Sequence, residues 1–231
     1  MVRPQTQAFG NRGHIMCDAG ALRLSKLSAS AYQMRLHLGS IPTSSDFSPG
    51  EQWKRLREPS PWRAQLIATP IAIIAGALVA LLWYLLTPLR EITALCERPF
   101  LLLLAFVVLS VAHELVHAAV NPMAGLSPRT ILGFWPSRLL FYAHYDGELS
   151  RSRFLVLLLT PLLVISVAPL AVAAFGQITS GWTAFVSVLN TVLAGLDMFG
   201  AGLVLWQIPS TAIVRNQGWN TYWRNREPVV A

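Results

Sequence analysis

Apolar residues in this chain come in long unbroken runs, not in the alternation of strands or the narrow stripes of soluble helices. Residues 66–86 hold no charge at all, and residues 100–120 are broken by ionisable groups only at His113, Glu114 and His117. A third run covers 154–175, with Pro161 and Pro169 as expected kinks. The fourth, 182–206, contains one charge, Asp197, and a tryptophan at each end where an interfacial anchor belongs. A helix needs roughly 20 mostly apolar residues to cross a bilayer, and all four runs have that length. The pattern predicts an all-α polytopic membrane protein, a four-transmembrane-helix bundle spanning 66–206.

The remaining segments lack such runs. Residues 1–33 mix small, polar and basic types without a period and are expected to be a disordered extension. Met16 and Met34 are candidate internal starts, and no basic stretch leads promptly into an apolar one as in a secretory signal. Residues 34–65 read as a short amphipathic lead-in and 207–231 as a basic, aromatic tail. The loop at 121–153 is rich in aromatic and β-favouring residues, with a turn signal at Tyr145-Asp146-Gly147. It reads either as a strand or hairpin at the membrane surface or as an ordinary interfacial loop.

Composition agrees with a membrane solvent. Of 231 residues, 54% are hydrophobic and 13% charged, about half the ~25% charged share of a soluble domain. That excludes most soluble enzymes, coiled coils and disordered tails. The net charge of +7 would suggest nucleic acid in a soluble protein. Here the bases sort by side instead. Nine Lys/Arg precede residue 65, four lie in 121–153 and three follow Trp206, while 87–99 has only Arg90 and Arg98 against Glu91 and Glu97. The positive-inside rule then places both termini and the middle loop in the cytoplasm. The partners expected are a lipid bilayer and a membrane-associated protein or peptide, with no nucleic acid. Cys17 and Cys96 lack metal or disulfide spacing and read as unpaired thiols.

Ionisable groups inside a span cost several kcal/mol unless paired or hydrated, so each is a candidate functional residue. His113-Glu114-Leu115-Val116-His117 forms an HExxH motif. Its i, i+4 histidines share a helix face and can reach one metal, with the glutamate placed to act on water. Five histidines and seven glutamates in 231 residues would produce the motif by chance only about 0.003 times. The plain alternative is polar residues bonding between helices.

A catalytic zinc usually takes three protein ligands. Asp197 is the only other acid within a run, and counting residues from the span ends at 1.5 Å each puts it within roughly 3–9 Å of the histidines' depth. Asn190 stands two helical turns before Asp197 and so on its face, as a possible substrate or oxyanion contact or equally an interhelical packing bond. Ala194, Gly195, Gly200, Ala201 and Gly202 leave room for close helix approach. His144, in the aromatic loop, is a remaining candidate ligand, though such a histidine is more often an ordinary interfacial residue.

HELVH near the end of one span, a strand-like loop, the Ser150-Arg151-Ser152-Arg153 run before the next, and Asn190 with Asp197 in the last together resemble DUF3267, a family described as zincin-type membrane metallopeptidases. The resemblance extends over about residues 40–205, including IPTSSDF and the lead-in. More distantly the arrangement is similar to site-2 proteases, although Met198 stands where their aspartate motif has glycine. The resemblance implies one Zn²⁺ on His113, His117 and Asp197, Glu114 as the catalytic base, and peptide hydrolysis near the cytoplasmic membrane face. A non-catalytic membrane metal-binding protein and a small ion transporter are the competing readings.

Overall fold

The structure, a computed structural model, describes residues 33–176 and 179–226. The expected disordered extension and Cys17 lie outside the described residues. Cys96 is an exposed free thiol.

Helix α1 (Pro61–Leu86) opens on a proline, whose missing N–H costs nothing in a first turn. Short α2 (Leu89–Cys96) lies within the 87–99 connection, and α3 (Pro99–Val120) carries HExxH in its last two turns. Helix α4 (Arg151–Gly176) is N-capped by the Ser150 hydroxyl. After Pro161 it widens into a π-helical stretch, Leu162–Val167, where the absent proline N–H loosens the usual ladder. The last run is two helices, α5 (Gly181–Leu193) and α6 (Gly195–Gln207), bent by 47° at Ala194. Among the described residues, three helices are thus long and apolar enough to cross a membrane, or up to four spans if the bent pair counts as one.

Only about a fifth of the residues in the apolar windows of α1, α3 and α4 are buried (22, 17 and 17%). Their remaining apolar side chains, such as Ile74 and Leu103, face outward, as a lipid solvent allows. The inward face of α1 is a stripe of small residues four apart: Ala64, Ala68, Ala72 and Gly76. The bent pair packs on this stripe. A Cβ on Gly195 would come within 2.5 Å of the Ala72 Cβ, and one on Gly76 within 2.7 Å of Val192. Close approach is therefore required at Gly195, whereas Gly202 has nothing within 4 Å and owes its place to no such contact.

The all-α expectation needs correction. Two small sheets stand at the end of the bundle where α1 and α4 begin and α3 and α6 finish. The first, in order β1-β3-β4, joins β1 (Arg35–Leu38) in parallel to β3 (Thr130–Trp135), which pairs antiparallel with β4 (Leu140–Tyr145). The second is antiparallel, in order β2-β7-β6-β5, from β2 (Lys54–Arg55), β7 (Asn220–Arg224), β6 (Ile213–Gln217) and β5 (Leu149–Ser150). The middle loop is thus a hairpin, the lead-in supplies β1 and β2, and the tail supplies β6 and β7. The tail hairpin turns at Gly218, whose φ of +60° suits glycine.

The Ser150–Arg153 run clamps this end together. Arg153 donates to the Val120 carbonyl at 2.9 Å and Arg151 to that of Leu205 at 3.2 Å, each satisfying an orphan carbonyl near a helix C-terminus. Arg215 bridges β6 to Asp46 (2.8 Å) and Asp146 (3.2 Å), its guanidinium lying over the Phe47 ring.

Candidate metal centre

Helix α3 brings His113 and His117 to one buried face, and the first turn of α6 brings Asp197 to meet them. Asp197 Oδ2 lies 3.0 Å from His113 Nε2 and 3.3 Å from His117 Nε2, and the two Nε2 atoms are 3.2 Å apart. This triangle is a direct test of fit. Tetrahedral zinc with bonds of about 2.0–2.1 Å holds neighbouring ligand atoms roughly 3.3 Å apart. The three side chains therefore have the donor types and spacing to hold a metal ion.

The far side of each ring explains why Nε2 faces the centre. His117 Nδ1–H donates to the Leu157 carbonyl at 2.8 Å, and His113 Nδ1–H donates to Asn190 Oδ1 at 2.9 Å. Asn190 has one possible orientation, because its Nδ2 donates to the Pro161 carbonyl (2.9 Å) and to Ser166 Oγ (2.8 Å). Ser166 donates on to the Ser187 carbonyl, and the Ser187 hydroxyl accepts from the fully buried Trp83 indole at 2.8 Å. Both imidazoles thus have the tautomer that leaves an Nε2 lone pair for a cation, the arrangement expected of ligating histidines.

Asn190 is wholly buried and does not line the cavity in front of the centre. Of the two readings of Asn190, the structure displays the interhelical bond: its amide is engaged with His113, Pro161 and Ser166. The shared face with Asp197 also changes, since the 47° bend interrupts the two helical turns between them. Leu157, Pro161 and Ser166 were invisible to sequence reasoning. Two act through backbone carbonyls, which carry no residue signature, and serine inside a span reads equally well as packing.

Glu114 and all three ligands open onto a cavity of about 500 Å³ that extends between the two sheets. Strand β4 runs along it with one edge unpaired. The direction of its backbone groups follows from register. Gly39 N–H donates to Phe134 O at 2.9 Å, so Phe134 turns its polar groups to β1 and Phe141, its partner, turns its own to the open edge. Ala143, two residues on, does the same, and its N–H faces the Glu114 carboxyl.

His144 lines the cavity but is not one of the three grouped ligands. Burial pushes its imidazole down to about 4, with Asp146 opposing and Arg215 adding to the shift, so it is neutral at ordinary pH. Glu58, on the segment after β2, also lines the cavity. Burial raises its carboxyl to about 7 against the lowering effect of the Thr221 hydrogen bonds and of Arg55.

Residues 106–213 match the model of the DUF3267 family, whose description reads "Putative zincin peptidase". This region is similar to the DUF3267 family. The DUF3267 match includes α3 from Phe106, both sheet-forming hairpin strands β3 and β4, and every residue of the metal centre. It begins well after residue 40, so the lead-in and α1 lie outside the matched stretch. No curated protein and no solved structure matched.

Proposed function

We propose that this chain is a membrane-embedded zinc metallopeptidase that hydrolyses peptide bonds near the cytoplasmic membrane face. The observation that carries the reading is the triangle of His113 Nε2, His117 Nε2 and Asp197 Oδ2 at 3.0–3.3 Å beside a glutamate that opens on the same cavity. When bound there, a zinc ion supplies the Lewis acidity that makes water nucleophilic near neutral pH and polarises a peptide carbonyl. Glu114 takes the proton from the attacking water and returns it to the departing amine nitrogen. Asn190 and Leu157 hold the two imidazoles in the tautomer and direction their ligand role requires.

Strand β4 supplies the place for a substrate. A helical peptide bond is shielded by its own hydrogen bonds, so a scissile segment must be extended. The open edge at Phe141 and Ala143 can pair with such a segment by strand addition. That edge lies beside Glu114, which puts a paired backbone next to the base. The helix pair joining an HExxH motif to an aspartate on a later helix is the feature shared with site-2 proteases by analogy. The basic residues flanking the spans support cytoplasmic termini.

The test is metal content and cleavage measured side by side. Glu114→Gln is expected to keep one zinc per chain and lose cleavage by at least about a thousandfold; His113→Ala is expected to lose both. Metal-free wild type, or undiminished cleavage by Glu114→Gln, would sink the enzyme reading.

A further inference from the structure

The cavity in front of the metal centre carries an unusual charge balance for this molecule. The chain has 18 Lys and Arg against 11 Asp and Glu, yet no Lys or Arg is among the residues lining the cavity, while Glu58, Glu114 and Asp197 are. Asp197 and Glu114 belong to the metal site. Glu58 does not, and its carboxyl faces a lining that has no lysine or arginine. It makes no ion pair among the described residues.

Its surroundings hold it in place. One Glu58 oxygen accepts the Thr221 N–H, the other the Thr221 hydroxyl at 3.2 Å. Leu56 N–H donates to the Thr221 carbonyl at 2.9 Å, and Trp219 donates its indole N–H to the Pro59 carbonyl at 3.0 Å. The segment on either side of Glu58 is therefore fastened to the tail hairpin. Directly across that hairpin from Thr221 stands Asn216. It also lines the cavity, and its buried Oδ1 has no hydrogen-bond partner. A buried acceptor without a donor is costly, and a carboxylate drawn out of water gains most from an incoming cation. Asn216 lacks a donor and Glu58 has no ion-pair partner among the described residues, and one cationic N–H group would serve both.

We propose that Glu58 and Asn216, positioned by Thr221, form a subsite that accepts a cationic nitrogen of the substrate, a lysine or arginine side chain or a free N-terminal ammonium. This deepens the peptidase reading and rests on it for the word substrate. A peptide laid along β4 would enter the cavity whose wall these residues share, so the charge would select which peptides settle there. The apolar remainder of the lining, including Leu56, Phe154 and Val204, would leave the neighbouring positions to hydrophobic side chains.

Binding can be read separately from cleavage. Zinc-loaded Glu114→Gln in detergent micelles is titrated with fluorescent ten-residue alanine/leucine peptides, followed by anisotropy. One set is N-acetylated and carries a lysine or the neutral isostere norleucine at each successive position. A second set lacks lysine and differs only in a free or acetylated N-terminus. The lysine or the free-terminus member is expected to bind about tenfold tighter than its neutral partner, and the responding set identifies the source of the cation. Adding Glu58→Gln, which keeps an acceptor for Thr221, should abolish that preference with metal content retained and a thermal transition no lower than before. Equal binding of cationic and neutral peptides, or a preference surviving Glu58→Gln, overturns the proposal. Should wild type cleave none of these peptides while the Glu58-dependent preference persists, the subsite stands and the peptidase reading falls.

Discussion

The two histidines and the glutamate of one helical turn are held very differently. His113 and His117 each have a far nitrogen tied to a fixed acceptor deep in the bundle, and the His113 line runs through Asn190, Ser166 and Ser187 to Trp83. Glu114 opens on the same cavity as the histidines but faces the amide of an edge strand instead. The bundle therefore holds the two imidazoles, and β4 of the first sheet faces the glutamate. Separate variants should then fail in separate ways.

The sharpest division is at the ligands. Asp197→Ala is expected to reduce both zinc affinity and cleavage by about a thousandfold or more, because two neutral imidazoles lose the only anion among the three donors. Zinc titration with a competing chelator, paired with an activity assay, checks it. One step back, Asn190→Ala should weaken zinc by roughly 10–100-fold while leaving all three ligands in place. It also takes the Asn190 partner from the Pro161 carbonyl and the His113 Nδ1–H, at a cost of about 1–3 kcal/mol. Unchanged zinc affinity would break the claim that the bundle sets the coordination.

The opposite result is expected at the sheet. Ala143→Pro removes an N–H that points to the open edge, so the β3–β4 ladder survives. Cleavage should fall about tenfold through lost substrate pairing and the lost N–H beside Glu114, with zinc affinity unmoved. A parallel loss of metal would merge the two regions that the comparison separates.

The smallest effects come from titration in the cap. Glu58 keeps its proton up to about 7 in the fold but releases it near 4.5 when unfolded. Between those values the folded chain holds the extra proton, so stability falls as pH rises. Glu58→Gln should therefore gain thermal stability over wild type progressively from pH 4.5 to 7, by at most about 3 kcal/mol. His144 has the opposite slope. Its folded value of about 4 lies below the ordinary 6.5, so its contribution is intact above 6.5 and lost as pH falls towards 4. His144→Gln should flatten that acid limb. Melting curves of both variants across pH 4–8 test the two signs.

Much of the bundle was readable before any coordinates. Long apolar runs mark spans because lipid leaves the chain few other choices, and three ionisable residues within one of them expose the metal helix. Asp197 was reachable by counting depth alone. The sheets were harder. Strands β2 and β5 are two residues long, too short for any period, and exist because β6 and β7 offer them partners. The β6–β7 hairpin did leave a signal in Gln217-Gly218-Trp219-Asn220, a glycine turn between aromatic and β-branched residues. Its arginines drew the reading towards membrane orientation instead. The bend at Ala194 was hidden because an apolar run looks the same whether its helix is straight or broken.

That last ambiguity bears on Arg151 and Arg153. Both belong to the positive charge that would orient the chain, yet both also grip carbonyls near the ends of the two helices that carry the ligands. Reversing these charges to probe orientation would slacken the ligand-bearing helices at the same stroke. A loss of activity in such a variant could be misread as inverted insertion when the joint had merely come loose, so orientation is better mapped from bases whose side chains make no ion pair among the described residues, such as Arg63 or Arg129.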